Sequence, residues 1–262
     1  MRLREVSVLG GAFLVLASAG CSKLHSGGMK EIDVKKDNTH FKSDPVTPQT
    51  KAMNEIALAQ EYWQQGQYEI ALEDVQKAIK IDPNSPEAYT MLGLLDEKIN
   101  RLEQANAAYA KSASLAPNNG NILNNYGAWL CRSGHPAEAD VQFRKALADP
   151  FYKTPAAALG NAAECALEAG HTDVAEGYYR RVLSMEPGNP NALQSMAGID
   201  FKRGEYLPAR GFIERLIAAG SVAPETLDLA AHIEDKLGDT QAAQNYRTRL
   251  GSEFPQYTPH QF

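Results

Sequence analysis

The residues able to do covalent chemistry in this chain are few. Cysteines stand at Cys21, Cys131 and Cys165, and histidines at positions 25, 40, 135, 171, 232 and 260. Cys131 sits in YGAWLCRSGHPAEA, an apolar helical run closed by Ser133-Gly134. A nucleophile, a metal ligand, half of a disulfide and a plain core residue are all open to it, and each needs different company. The company for catalysis is missing. No two histidines stand four apart around a glutamate, so no HExxH zinc site is present. His135 and His171 follow turn glycines and read as solvated turn residues. There is no G-x-x-x-x-G-K-[ST] phosphate loop and no G-x-S-x-G nucleophile elbow. Acidic side chains are scattered at helical spacing, as on any solvated helix face. The expectation is a non-enzyme with no metal, no cofactor and no small-molecule substrate.

Composition narrows the class further. The chain has 262 residues, 26 Lys+Arg against 32 Asp+Glu, and neither sign is gathered into a long block. Binding to a phosphate backbone needs a basic stripe that releases counterions, so nucleic acid is not an expected partner. Aromatics are 8% and stretches rich in Val, Ile and Thr are absent, which favours an all-helical fold over one built on strands.

The first twenty residues follow different rules. Arg2 and Arg4 make a charged start, positions 6–17 an apolar stretch, and Ser18-Ala19-Gly20-Cys21 a small-residue end. The apolar stretch is shorter than the about 20 residues a spanning helix needs, so residues 1–20 read as a secretory signal. The small residues before Cys21 resemble the lipobox of bacterial lipoproteins, although Ser18 stands where that family usually has Leu. The resemblance implies lipidation at Cys21, membrane attachment through the N-terminal lipid and, with Ser22 rather than Asp next, sorting to the periplasmic face of the outer membrane. Residues 21–51 then hold six lysines, three aspartates and two prolines, with almost nothing to bury, and read as a lipidated flexible tether.

Beyond residue 51 the chain repeats. Gly66 and Ala71 stand five apart, and the pair recurs as Asn100/Ala105, Gly134/Ala139, Gly170/Ala175, Gly204/Ala209 and Gly238/Ala243, with alanine intervals of 34, 34, 36, 34 and 34. A left-handed glycine ends a helix, and a small residue five positions on lets a second helix cross the first closely. Ala59, Gly93, Gly127, Ala163, Ala197 and Ala231 supply the matching small residue on the first helix. Tyr62, Tyr109, Tyr126, Phe143, Tyr179 and Ile213 should fill the space around the crossings. Pro83, Pro117, Pro187 and Pro255 should close second helices.

These positions resemble tetratricopeptide repeats. The resemblance implies an all-α, right-handed superhelix (α-solenoid) of six tetratricopeptide repeats at 52–85, 86–119, 120–155, 156–189, 190–223 and 224–257, followed by a tail at 258–262. Each hairpin would bury its apolar face only against its neighbours, leaving a concave groove lined by first helices. In that alignment Cys131 and Cys165 fall at positions 12 and 10 of adjacent first helices. In an exported protein facing thiols oxidise, so a disulfide across repeats three and four is expected, two separate buried thiols being the alternative.

The extended third repeat, through Asp149-Pro150-Phe151-Tyr152, with Asn124-Asn125-Tyr126-Gly127, Leu130-Cys131, Asn161 and Cys165-Ala166-Leu167 around it, resembles the type IV pilus biogenesis lipoproteins of the PilF/PilW family. Gly204-Glu205-Tyr206, Pro208-Ala209-Arg210 and the closing Phe254-Pro255 fit the same pattern. That resemblance implies a pilotin-type adaptor at the outer membrane, whose partner is the secretin subunit of the type IV pilus. A scaffold for another cell-envelope assembly machine is the alternative.

The first helix offers a candidate contact. Leu58, Ala59 and Tyr62 suffice to cover the second helix, yet Met53, Ile56 and Trp63 add a second apolar arc, with Gln60 between them. An apolar stripe beside polar equivalents such as Asn121, Asn124, Glu225 and Asp228 is expected to hold a partner's amphipathic segment, with Trp63 as anchor. The alternative is that residues 45–51 fold back and cover it.

Overall fold

The computed structural model describes residues 47–220 and 222–259. The signal, Cys21 and most of the tether lie outside the described residues. Those described form an α-solenoid of twelve helices in six antiparallel pairs: α1 (Pro48–Gln64) with α2 (Tyr68–Ile81), α3 (Pro86–Lys98) with α4 (Leu102–Leu115), α5 (Gly120–Arg132) with α6 (Pro136–Ala148), α7 (Pro155–Glu168) with α8 (Thr172–Met185), α9 (Pro190–Arg203) with α10 (Tyr206–Ala218), and α11 (Pro224–Leu237) with α12 (Thr240–Glu253).

Local chemistry sets the boundaries. Proline opens α1, α3, α6, α7, α9 and α11, where its missing N–H costs nothing. Thr47, Ser85, Asn119 and Asn189 cap α1, α3, α5 and α9 by accepting backbone N–H bonds in the first turn. One expectation changes as a result. The tether was expected to run through residue 51, but Pro48 sits at the first helical position and Thr47 Oγ1 accepts from the Thr50 N–H at 3.1 Å, so 48–51 are helical. Those four residues lengthen α1 rather than fold back across it. The turn after α5 passes through Gly134 at φ +85°, and the equivalent turn in the second repeat uses Asn100 at φ +62°. Asparagine is among the few other residues that tolerate this conformation.

The helix crossings are closed. The ten alanines at the paired crossing positions are each at most 1% exposed. At the other two positions the absence of a side chain is required: a Cβ on Gly93 would stand 2.9 Å from the Tyr109 ring, and one on Gly127 2.8 Å from Phe143. Tyr109, Phe143, Tyr179 and Ile213 are buried as expected, while Tyr62 and Tyr126 are half-buried. Hydrophobic clusters run along the solenoid, and the three largest are joined where Leu94 and Phe212 each pack against two of them. First helices touch their successors, α1 to α3, α3 to α5, α5 to α7 and α9 to α11, which places them on the inner, concave side.

Candidate functional site

Three first helices build a groove at the N-terminal end of the concave face. Its lining comes from α1 (Ile56, Gln60, Trp63), α3 (Glu87, Thr90, Met91, Leu94) and the start of α5 (Asn119, Asn121, Ile122, Asn125), around a space of about 350 Å³. The floor is apolar, and the rim is amide-rich with Glu87 as its one charged residue.

Polar bonds, from the buried Thr90–Ser112 pair to exposed ones at the ends of α5, hold the walls in place. Thr90 Oγ1 and Ser112 Oγ lie 2.7 Å apart, and Ser112 Oγ donates to the Pro86 carbonyl at 2.7 Å, fixing the start of α3 on α4. Asn119 Oδ1 accepts from the Asn121 and Ile122 N–H groups, orienting the first turn of α5. At the other end of that helix the Arg132 guanidinium grips Glu97 of α3 with two bonds, at 2.8 and 2.9 Å. Tyr109 donates to the same carboxylate at 3.1 Å. Burial, and then the charge of Glu97, push the Tyr109 phenol well above its ordinary range, so it remains a donor.

Three of the four residues nominated from the sequence, Ile56, Gln60 and Trp63, line this groove; Met53 does not and is 65% exposed. Ile56 and Trp63 are half-buried rather than open, because both also pack against the cluster of Ala59, Val75, Met91 and Leu95. The Trp63 Nε1–H is buried without a hydrogen-bond partner, the one such side-chain atom among the described residues. The other tryptophan is finished differently: Trp129 Nε1 donates to Asn106 Oδ1 at 3.2 Å, and its ring stacks on Tyr109 with centroids 5.7 Å apart.

The groove's contributors from α3 and α5 were missed in the sequence. Met91, Leu94 and Ile122 look like ordinary core residues on their own helices. Superimposing the repeats and reading across neighbouring first helices, rather than along one, is the signal that would have found them.

Cys131 and Cys165 are joined by a disulfide with Cα atoms 5.7 Å apart, tying α5 to α7. The bond stiffens the inner wall immediately beyond the groove. Among the described residues no cluster of three or more His, Cys, Asp or Glu side chains is arranged to hold a metal, and no helix is long and apolar enough to cross a membrane. A second, larger depression of about 480 Å³ lies between α7 and α9. It mixes Lys153, Glu164 and Glu186 with amides, and its tyrosine, Tyr179, is only 1% exposed, so it lacks an aromatic anchor.

The fold has counterparts of known structure. The crystal structure of PilW, described as a widely conserved type IV pilus biogenesis factor, superimposes with a TM-score of 0.71 at 30% identity, over 79% of this chain and 96% of that one. The chain belongs to the PilF/PilW family. Another member, the type IV pilus assembly protein PilF of Pseudomonas aeruginosa, is 26% identical over 200 residues, 76% of this chain and 79% of its own. A solved structure from the functional characterization of Pseudomonas aeruginosa PilF gives a TM-score of 0.72 at 25% identity, over 80% of this chain and 95% of that one. Within this PilF/PilW chain, family models described as TPR repeat and tetratricopeptide repeat match residues 59–99, 86–119 and 130–192.

Proposed function

We propose that this protein is a non-catalytic, lipid-anchored adaptor of type IV pilus biogenesis, which binds the secretin subunit and promotes its localisation and multimerisation at the outer membrane. Family membership supports the pilus assignment, and the Ser18-Ala19-Gly20-Cys21 stretch supports the anchor. The observation that carries the binding role is the groove over repeats one to three: an apolar floor with an aromatic anchor whose indole N–H has no partner within the chain. A buried donor left unpaired costs about 1–3 kcal/mol, so the packing around the Trp63 indole carries an unmet polar group beneath the groove floor. An amphipathic segment laid into the groove would cover Ile56 and Trp63, and basic or amide groups on its polar side would meet Glu87 and the asparagines.

Trp63→Ala tests this. It should leave the helical circular dichroism intact and weaken binding of the secretin subunit at least about tenfold, with a matching loss of secretin multimers in cells. An unchanged multimer yield would refute the assignment. Cys21→Ser, with the protein still exported, should release the chain from the membrane fraction.

A further inference from the structure

The extra two residues of the third repeat form a fixed platform, and its most prominent feature is unused by the fold. Phe151 is 86% exposed, the highest value among the exposed large apolar side chains of the described residues. An aromatic on a mobile loop would need no explanation, but this one is held from both sides. The Asp149 carboxylate accepts the Phe151 N–H at 2.8 Å through one oxygen and the Gly120 N–H, at the start of α5, at 2.9 Å through the other. Tyr152, the next residue, is 8% exposed and packs so closely on Gly120 that a Cβ there would stand 2.5 Å from its ring. The insertion therefore buries one aromatic as a peg and turns its neighbour outward.

The exposed ring borders a shallow depression of about 430 Å³ that contains Asn119 and Asn121. These two residues also line the groove over repeats one to three, so the two surfaces are continuous across the first turn of α5. The depression's lining holds amides and one carboxylate but no Lys or Arg, which disfavours an anionic membrane surface. Amides offer both donors and acceptors, the pattern a peptide backbone requires.

We infer that Phe151 is a second anchor for the same polypeptide partner, which runs from Trp63 across Asn119 and Asn121 and ends against the Phe151 ring. This rests on the groove reading above. Because the loop is already ordered, contact with Phe151 costs little conformational entropy, which is what makes a single exposed aromatic effective.

Affinity of the full-length chain for purified secretin subunit is measured for Phe151→Ala, Phe151→Trp and Trp63→Ala. Sedimentation of Cys21→Ser chains with phosphatidylethanolamine–phosphatidylglycerol vesicles is measured with and without Phe151→Ala. The expected result is a roughly tenfold weaker affinity for Phe151→Ala, recovery to within about twofold for Phe151→Trp, and an unchanged thermal midpoint in both. If Trp63→Ala weakens binding and Phe151→Ala does not, the second anchor is overturned while the groove stands. If neither has an effect, the groove reading falls and this inference with it. Vesicle binding that is lost in Phe151→Ala at constant secretin affinity would make Phe151 a membrane contact and overturn the proposal.

Discussion

Helices α1 and α11 hold the first and last inner positions of the solenoid, and the same four register positions can be compared in each. Met53, Ile56, Gln60 and Trp63 occupy them in α1; Glu225, Asp228, His232 and Asp235 occupy them in α11. At the C-terminal end the chain supplies its own partners. Tyr257, past the last helix, donates to Asp228 at 3.2 Å, His232 Nε2 lies 3.6 Å from the same carboxylate, and Arg247 of α12 grips Asp235. That guanidinium holds the Asp235 carboxyl below the usual range. At the N-terminal end the apolar residues form a groove floor, and the Trp63 donor has no partner. One end is closed with polar bonds from its own tail and from α12, while the other keeps the groove that we propose receives a different polypeptide. Along the same inner face, then, α11 is polar at these positions and paired within the chain, and α1 contributes an apolar groove floor.

One row of packed repeats holds the two ends, and the largest expected effect lies at its middle. Replacing both Cys131 and Cys165 by Ser removes a bridge between residues 34 apart and should cost about 3–4 kcal/mol in denaturant unfolding. Next comes Gly127→Ala, which drives a Cβ to 2.8 Å from Phe143 and should cost about 1–3 kcal/mol. Retained stability in that variant would mean the crossing is looser than described.

Tyr257→Phe isolates the closed end. It should lose about 1 kcal/mol of stability and leave secretin affinity unchanged. Burial and the Asp228 charge push the Tyr257 phenol up to about 12. Its folded pKa is raised, so its contribution is fully present below the ordinary tyrosine value near 10 and is lost as pH rises toward 12. The wild-type chain should therefore lose stability across that window more steeply than Tyr257→Phe does. The smallest effect is expected from Trp63→Phe, which deletes an unpaired donor but also trims a ring packed against Ala59, Val75, Met91 and Leu95: the two changes should nearly cancel, leaving stability within about 1 kcal/mol of the parent in denaturant unfolding.

Much of this architecture was legible because it is repetitive. The 34-residue spacing of Gly66, Gly134, Gly204 and their partners reports a local rule, the turn between two helices, which each hairpin obeys separately. Cys131 and Cys165 could be paired because the repeat register carries each onto a neighbouring helix. Trp63 and Ile56 stood out because α1 is more apolar than its own hairpin requires. Other features depend on context that no single repeat contains. Met53 shares the stripe with Ile56 and Trp63, yet it is exposed and outside the groove lining, because the positions of α3 and α5 decide which part of the stripe is enclosed. Met91, Leu94 and Ile122 look like core until three helices are set side by side. Pro48 follows Pro45 in a polar stretch that reads as tether, and only the capping bond of Thr47 reveals Thr47-Pro48 as a helix start.

The chain has two tryptophans, one lining the groove and one in the core, and they allow a direct test. Incorporating 5-fluorotryptophan gives one fluorine resonance for Trp63 in the groove and one for Trp129, which is stacked and hydrogen-bonded in the core. Titration with purified secretin subunit should shift or broaden the Trp63 resonance to saturation and leave that of Trp129 in place. Saturable binding, seen by an independent method, with the Trp63 resonance unmoved would contradict the claim that this groove holds the partner.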